Sequence, residues 1–236
     1  MKLITWNCQG GFRNKFNFIL THLPDILVVQ ECEHLDKLLS FTNDKVKDFL
    51  WFGHNKNKGV GVFSLGNYHF KLLREYNSDF KTIVPILVSD KQTDFMLYAI
   101  CANNPSDKNN QYIEQVWKAI NYYDELLQNN IPSILIGDFN SNKIWDRKSR
   151  IGNHSDVVSF LEKKEIQSSY HHHFTEEQGK ETQPTFYLYR HQNKPYHIDY
   201  CFASKEFINK IESVSVGKYE EWISLSDHMP IITVFK

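Results

Sequence analysis

The sequence predicts an α/β fold: a sandwich of two stacked β-sheets with helices on the outside. Three observations carry this prediction. Short apolar runs rich in β-branched residues recur along the chain and far outnumber helical stripes. The clearest helical patterns fall after the first strand and before a central one, where they can cover sheet faces. Runs such as Ile26-Leu27-Val28-Val29 are continuous rather than alternating, as in strands covered on both sides.

Taken in order, Lys2 to Trp6 reads as the first strand, and it ends in Asn7-Cys8-Gln9-Gly10-Gly11, where two glycines force a loop. A helix over Lys15 to His22 places Phe16, Ile19, Leu20 and Leu23 at helical spacing, and Pro24-Asp25 stops it. Ile26 to Glu31 is a second strand, ending in a carboxylate. Between Phe49 and Ser89 several strands are expected: Gly59 to Phe63 after a turn at Lys56 to Gly59, one opened by Asn67 to Phe70, and Ile83 to Val88. Phe95 to Ala102 follows and stops at Asn103-Asn104-Pro105-Ser106. Asp107 to Gln128 carries a helical stripe (Tyr112, Val116, Ala119, Ile120, Tyr123, Leu126, Leu127). Beyond the Ile134 strand, Asn142 to Asn153 is a polar, basic loop, and Asp156 to Lys164 is a short helix with Ser155 as its N-cap. Gln183 to Tyr187, Tyr196 to Phe202, Ile211 to Val216 and Ile231 to Phe235 complete the strands.

The 236 residues are 41% hydrophobic and 14% aromatic, enough for a sizeable core, and no Gly/Ser or Pro-rich linker or repeat divides them. One domain over residues 1–236 is expected. With 27 basic and 28 acidic side chains the net charge is -1, so no broad basic face is announced, although a local patch stays open. Cys8, Cys32, Cys101 and Cys201 lie in apolar segments without CxxC spacing, which argues against a zinc knuckle and for buried free thiols in a reducing cytosol. The amino terminus reads as a strand rather than a signal peptide, and no run reaches transmembrane length. A cytoplasmic, monomeric protein without a membrane partner is expected.

The chemistry gathers at strand ends. In Ile134-Leu135-Ile136-Gly137-Asp138-Phe139-Asn140 an apolar run closes on a glycine and then sets a carboxylate and an amide two residues apart. Period-two alternation would point Asp138 and Asn140 the same way and turn Phe139 to the core. Alone, Gly-Asp before a polar residue is commonly a turn. The same pattern recurs at Asn7, Glu31, Asp199, Asp227 and His228. Each follows or sits within an apolar run, where a carboxylate is costly unless paired or bound to a metal.

Thr5-Trp6-Asn7, Val29-Gln30-Glu31, Gly137-Asp138-Phe139-Asn140, His197-Ile198-Asp199-Tyr200 and Ser226-Asp227-His228-Met229-Pro230 together resemble, in order, the signatures of the endonuclease/exonuclease/phosphatase superfamily. The resemblance spans nearly the whole chain. It implies a four-layer α/β/β/α sandwich of two packed, mainly antiparallel mixed sheets, and hydrolysis of phosphoesters with a divalent cation, Mg²⁺ or alternatively Mn²⁺. By the same resemblance Glu31 is the main metal ligand, with Asn7 and Asp227 beside the metal. Asp138 orients or deprotonates the attacking water, Asn140 holds it or a phosphoryl oxygen, and Asp199 with His228 forms a dyad next to the phosphate. Two departures stand out: Cys101 occupies the place of a Tyr or His near the leaving group, and Gln9 stands where apurinic endonucleases often carry an acid. Asn104 matches a phosphate-contacting Asn.

DNA is the expected substrate, cut as an endo- or exonuclease. Asn142 to Arg150 mixes Trp145, Arg147 and Arg150 in a loop suited to a nucleic-acid strand, or to solvent. Tyr187, with Tyr189, Arg190 and His191, could add to a substrate wall. A phosphatase or phosphodiesterase for a small phosphorylated molecule is the alternative, although Ile136 and Asp199-Tyr200 depart from the inositol-phosphatase branch. A non-catalytic binding protein is the third class, which intact Glu31, Asp138 and His228 disfavour. The run His171-His172-His173 is expected in a solvated loop, because three consecutive side chains cannot all face one ion on a regular element.

Overall fold

The computed structural model describes residues 1–38, 45–103, 111–128 and 131–236. One six-stranded sheet is built from β1 (Lys2–Asn7), β2 (Ile26–Cys32), β3 (Asp48–Asn55), β4 (Lys58–Ser64), β13 (Ile211–Val216) and β14 (Ile231–Phe235), in the order β13-β14-β1-β2-β4-β3. The other contains β5 (His69–Leu72), β6 (Ile83–Ser89), β7 (Asp94–Cys101), β8 (Ser133–Asp138), β9 (Ile166–Ser168) and β12 (Asp199–Ser204), in the order β5-β6-β7-β8-β12-β9. Each sheet is mixed, with one parallel pair (β1 with β2, β7 with β8) among antiparallel neighbours. A two-stranded ribbon, β10 (Phe186–Tyr187) with β11 (Pro195–Tyr196), lies outside both.

Side-chain parity explains the layering. On β8, Ile134 and Ile136 enter the core between the sheets, packed with Leu3, Ile26, Val28 and Val62, whereas Leu135 faces the helices. On that outer side α2 (Ile113–Tyr122), α3 (Asp124–Leu127) and α4 (His154–Glu162) bury Val116, Ile120, Leu127, Val157 and Leu161 against Tyr98, Leu135, Tyr200 and Phe202. The first sheet sends Ile4, Trp6, Leu27 and Val29 the other way, onto Phe16 and Ile19 of α1 (Phe16–Leu20) and Trp222 of α7 (Tyr219–Trp222). The four layers are thus helix, sheet, sheet, helix, as the sequence predicts. Two further short helices, α5 (Ser169–Phe174) and α6 (Lys205–Ile208), pack near β12.

Several boundaries differ from the sequence reading. α1 is shorter than Lys15 to His22. The Asp107 to Gln128 stripe is broken at Tyr123, and residues 107–110 lie outside the described residues. α4 starts at His154, capped by Asn153 rather than Ser155, because Asn153 and Asp156 form a reciprocal capping box. The Tyr196 to Phe202 run divides between β11 and β12. His171–His173 lie in α5 rather than a solvated loop: His171 is buried enough to pair its Nε2 with Glu181 at 3.0 Å, while its Nδ1 lies 2.7 Å from the Ser168 hydroxyl. All four cysteines are buried free thiols.

Candidate active site

The parity that builds the inter-sheet core also delivers the polar residues at its open end. Asn7 shares its side with Leu3 on β1, Cys101 with Leu97 and Ala99 on β7, Asp138 with Ile134 and Ile136, and Asp199 with Cys201 and Ala203. Strand register then places Asp138 directly opposite both Asp199 and Cys101. Glu31 breaks this rule. By alternation it would follow Leu27 and Val29 toward the helices, but its φ of 54° and the register shift between Gln30 and Cys32 bring it to the cleft instead. A left-handed conformation at a non-glycine residue costs on the order of 1 kcal/mol, and here it accompanies the turn of Glu31 into the cleft.

These residues line a cleft of about 760 Å³ that includes Asn7, Glu31, Asp138, Asn140, Asp227 and His228. Asp138 is almost fully buried and accepts hydrogen bonds from Asn7 Nδ2 (2.9 Å), Asn140 N (2.8 Å) and Asn140 Nδ2 (3.0 Å). Asn140 reaches it through a turn with φ 49°, not through continued strand alternation, while Phe139 does enter the core. Gly137 is required by close approach: a Cβ there would lie 1.9 Å from the Ile100 carbonyl oxygen. Burial, then the Asp199 carboxylate directly across the strand pair, raises the Asp138 pKa from 3.8 to about 7 against the pull of His228, Asn7 and the Asn140 N–H.

His228 Nδ1 lies 2.9 Å from Asp199 Oδ2. Burial alone would lower this imidazole, but the Asp199 charge and hydrogen bond, helped by Asp138 and Asp227, overcome it and raise the pKa from 6.5 to about 9. At neutral pH His228 is therefore an imidazolium that donates to Asp199. Three residues the sequence reading did not single out hold this pair. Thr185 Oγ1 accepts from the Ile198 and Asp199 backbone N–H groups (2.9 and 3.0 Å). Ser226 Oγ donates to Asn7 O and accepts from His228 N, and Trp6 Nε1 donates to His228 O. Ser226 and Trp6 flank the strand-end motifs, which was the available signal. Thr185 had none.

Gln9 ties the opposite wall together: its N–H donates to Asn7 Oδ1 and its side chain to Asp227 Oδ2 (3.0 and 2.7 Å). Burial, opposed by His228, raises the Asp227 carboxyl above its usual range. Glu31 is ion-paired with Lys58. Asn7, Glu31 and Asp227 offer hard oxygen donors of the kind Mg²⁺ takes. Asp138, Asp199 and His228 also bring ligand atoms within 4.8 Å of one another. An imidazolium has no lone pair to give a metal, so with His228 charged this cluster is a hydrogen-bonded dyad rather than a cation site, and Asp199 Oδ1 stays buried and unpartnered among the described residues. Three carboxylates, Glu31, Asp138 and Asp227, line the cleft beside Lys58 and His228, a donor set whose oxygen chemistry fits a divalent cation.

The expected substrate residues disperse. Trp145 is exposed and packs at a tilt against Tyr196 (5.0 Å between ring centroids) rather than lining the cleft. Arg150 Nε bonds Asn153 at the α4 cap, and the Arg147 backbone is tied to the same Asn153. Tyr187 is buried against Tyr219, because alternation on the short β10 gives the cleft to Phe186, whose ring lies 4.6 Å from that of His228. Arg190 does reach the rim, bonding Gln9 Oε1. Cys101 lines the floor, its thiol pushed well up by burial and the nearby Asp138 and Glu31 charges. Asn104 lies outside the described residues.

The sequence matches the model of the Endonuclease/Exonuclease/phosphatase family over residues 4–228. No curated protein matches it. Among solved structures, an AP endonuclease from Archaeoglobus fulgidus is similar with a TM-score of 0.74 at 16% identity, covering 100% of this chain and 99% of that one. The 3′-5′ exonuclease NExo from Neisseria meningitidis has a TM-score of 0.74 at 20% identity and covers 100% of both chains. NExo from Neisseria, described as a 3′ phosphatase bound to product DNA hairpin, has the same score and identity, covering 100% and 99%. At these identities the likeness is one of fold. Among the described residues, no helix is long and apolar enough to cross a membrane.

Proposed function

Because the chain belongs to the endonuclease/exonuclease/phosphatase family, we propose that it is a divalent-metal-dependent phosphoester hydrolase that cleaves phosphodiester bonds of DNA by attack of water on phosphorus. The observation that carries this reading is the opposed pair of protonation states in one cleft: a carboxyl at about 7 and an imidazole at about 9. A base poised near neutral pH can take a proton from water, whereas an imidazolium cannot. Asp138 is accordingly assigned to the water, oriented by its three donors, and His228 to the phosphoryl oxygens, held as a cation by Asp199. Asn140 is placed to hold the water or a phosphoryl oxygen. Asn7, Glu31 and Asp227 would hold the cation, Mg²⁺ by their oxygen chemistry, with Mn²⁺ as a substitute. Such an ion supplies Lewis-acid stabilisation of charge on the phosphate and the leaving oxygen.

A specific observation keeps a second reading in play. Lys58 is the one lysine or arginine among the described residues that line the cleft, and the net charge is -1. Weak electrostatic grip favours a limited substrate, a short strand end or a small phosphomonoester, over long duplex.

The test compares labelled single-stranded, duplex and abasic-site DNA with a panel of small monoesters, in Mg²⁺ and in EDTA. Metal-dependent DNA cleavage that falls by about a hundredfold or more in Asp138→Asn is the expected result. Phosphate release from monoesters without DNA cleavage would favour the second reading, and no activity on either would refute both.

A further inference from the structure

Lys58 opens β4 at the tip of the β3–β4 hairpin, and nothing in the sequence distinguishes it from an ordinary turn lysine. In the fold its arm runs along the cleft mouth. The ammonium bonds Glu31 Oε2, and Cε lies 4.0 Å from where a Gly10 side chain would begin, so the arm spans from the hairpin to the loop after β1. Its neighbour on the hairpin behaves differently: Lys56 pairs with Asp36, which does not line the cleft. Glu31, in turn, spends backbone strain to face the cleft, and the cation it meets there is Lys58.

We propose that Lys58 is a built-in competitor of the divalent cation at Glu31 and, once displaced, the cation that binds the substrate phosphate. The inference rests on the metal site proposed above. An ammonium and a dication cannot share one carboxylate oxygen at close range without strong mutual repulsion. A divalent cation held by Glu31 would repel the ammonium from either carboxylate oxygen, and the flexible four-carbon stem would let Lys58 swing away while its base stays fixed on the hairpin. The Lys58 side chain is 57% exposed and that of Glu31 30%, so the pair is readily broken. A phosphate seated against His228 lies in the same cleft and offers the released ammonium its next anionic partner. The exchange makes metal and substrate binding cooperative: the metal frees the residue that the phosphate needs.

Calorimetric titration of Mg²⁺ and Mn²⁺ into the full chain, stripped with EDTA, tests the first half without any turnover. Lys58→Met is expected to bind Mg²⁺ about three- to fivefold more tightly than wild type, the range a partly exposed ion pair allows. Lys58→Arg, which keeps the pair, should stay near wild type. Lys56→Met, which removes the same charge from the same turn, should leave the affinity unchanged. At saturating Mg²⁺, Lys58→Met should raise KM for a labelled oligonucleotide by about tenfold with little change in kcat, and Lys58→Arg should recover most of it. Equal or weaker metal binding by Lys58→Met overturns the competition, as does equal tightening by Lys56→Met. An unchanged KM overturns the phosphate role. Should no substrate be hydrolysed, the metal titration still decides the first half and oligonucleotide binding by anisotropy the second. Absence of metal binding in both wild type and Lys58→Met overturns the whole inference.

Discussion

Replacing Asp199 by Asn tests the electrostatic logic of the site at one carboxylate. The rise of the His228 pKa from 6.5 to about 9 corresponds to roughly 3 kcal/mol of preference for imidazolium, and Asp199 is its first favourable cause. The same carboxylate is the leading charge holding Asp138 up near 7. Asp199→Asn should therefore lower both pKa values together. The wild-type pH–rate profile, flat between about 7 and about 9, should move as a whole to lower pH. With His228 back near its ordinary 6.5, about a tenth of it is imidazolium at pH 7.5, so kcat there should fall by about tenfold or more, and the deficit should narrow toward pH 6. Titration of His228 by NMR in EDTA reads the cause directly.

Stability carries the same sign. Both groups have folded pKa values raised above their unfolded ones. The stability they contribute is complete below the unfolded values and is lost as pH rises, through about 7 for Asp138 and about 9 for His228. Denaturant midpoints of the metal-free wild type should decline between pH 6 and 9.5, and Asp199→Asn should flatten the upper part of that decline. A His228 that still titrates near 9 in Asp199→Asn, with a rate deficit equal at every pH, would refute this reasoning.

Two backbone-level predictions follow from the same geometry. Thr185→Val leaves the buried N–H groups of Ile198 and Asp199 without their acceptor; a loss of about 3 kcal/mol is expected, seen as a melting temperature lower by roughly 6–12 °C, and Thr185→Ser should restore it. An unchanged melting temperature in Thr185→Val would show that the hydroxyl is dispensable. Gly137→Ala must push a Cβ into the Ile100 carbonyl oxygen at a φ of 142°, so a loss of about 4 kcal/mol or more, or failure to fold, is expected in thermal melts. Normal melting of that variant would mean that β7 and β8 can separate at no cost.

Much of this protein is legible along the chain because strand and helix periods are local. The runs at Lys2, Ile26, Ile83, Phe95, Ile134 and Ile231 each become strands, and the covered-on-both-faces reading of Ile26 to Val29 is correct because Ile26 and Val28 pack into the core between the sheets while Leu27 and Val29 pack with Phe16, Ile19 and Trp222 on the helix side. Strand-end placement of Asn7, Asp138 and Asp199 is also readable, since alternation fixes which side of a strand each takes. Boundaries set by side-chain caps are less so. Asn153 wins over Ser155 only because Asp156 stands three residues further on and closes the capping box.

Local pattern supplies the inventory: which apolar runs become strands of a layered sandwich, and which carboxylates, amides and histidine stand at their ends. The tertiary structure decides which of them meet, and in what state of charge. Glu31 reaches the cleft through a bulge and a left-handed backbone that alternation forbids, Tyr187 yields its place to Phe186, and Trp145, Arg147 and Arg150 do not line the cleft. The protonation states of Asp138 and His228, and the Lys58 ammonium resting on Glu31, arise chiefly from contacts between residues distant in the chain, 27 positions apart for Glu31 and Lys58 and 131 for Asn7 and Asp138. Such contacts depend on register and packing between strands distant in the chain, and no local pattern of residues encodes them.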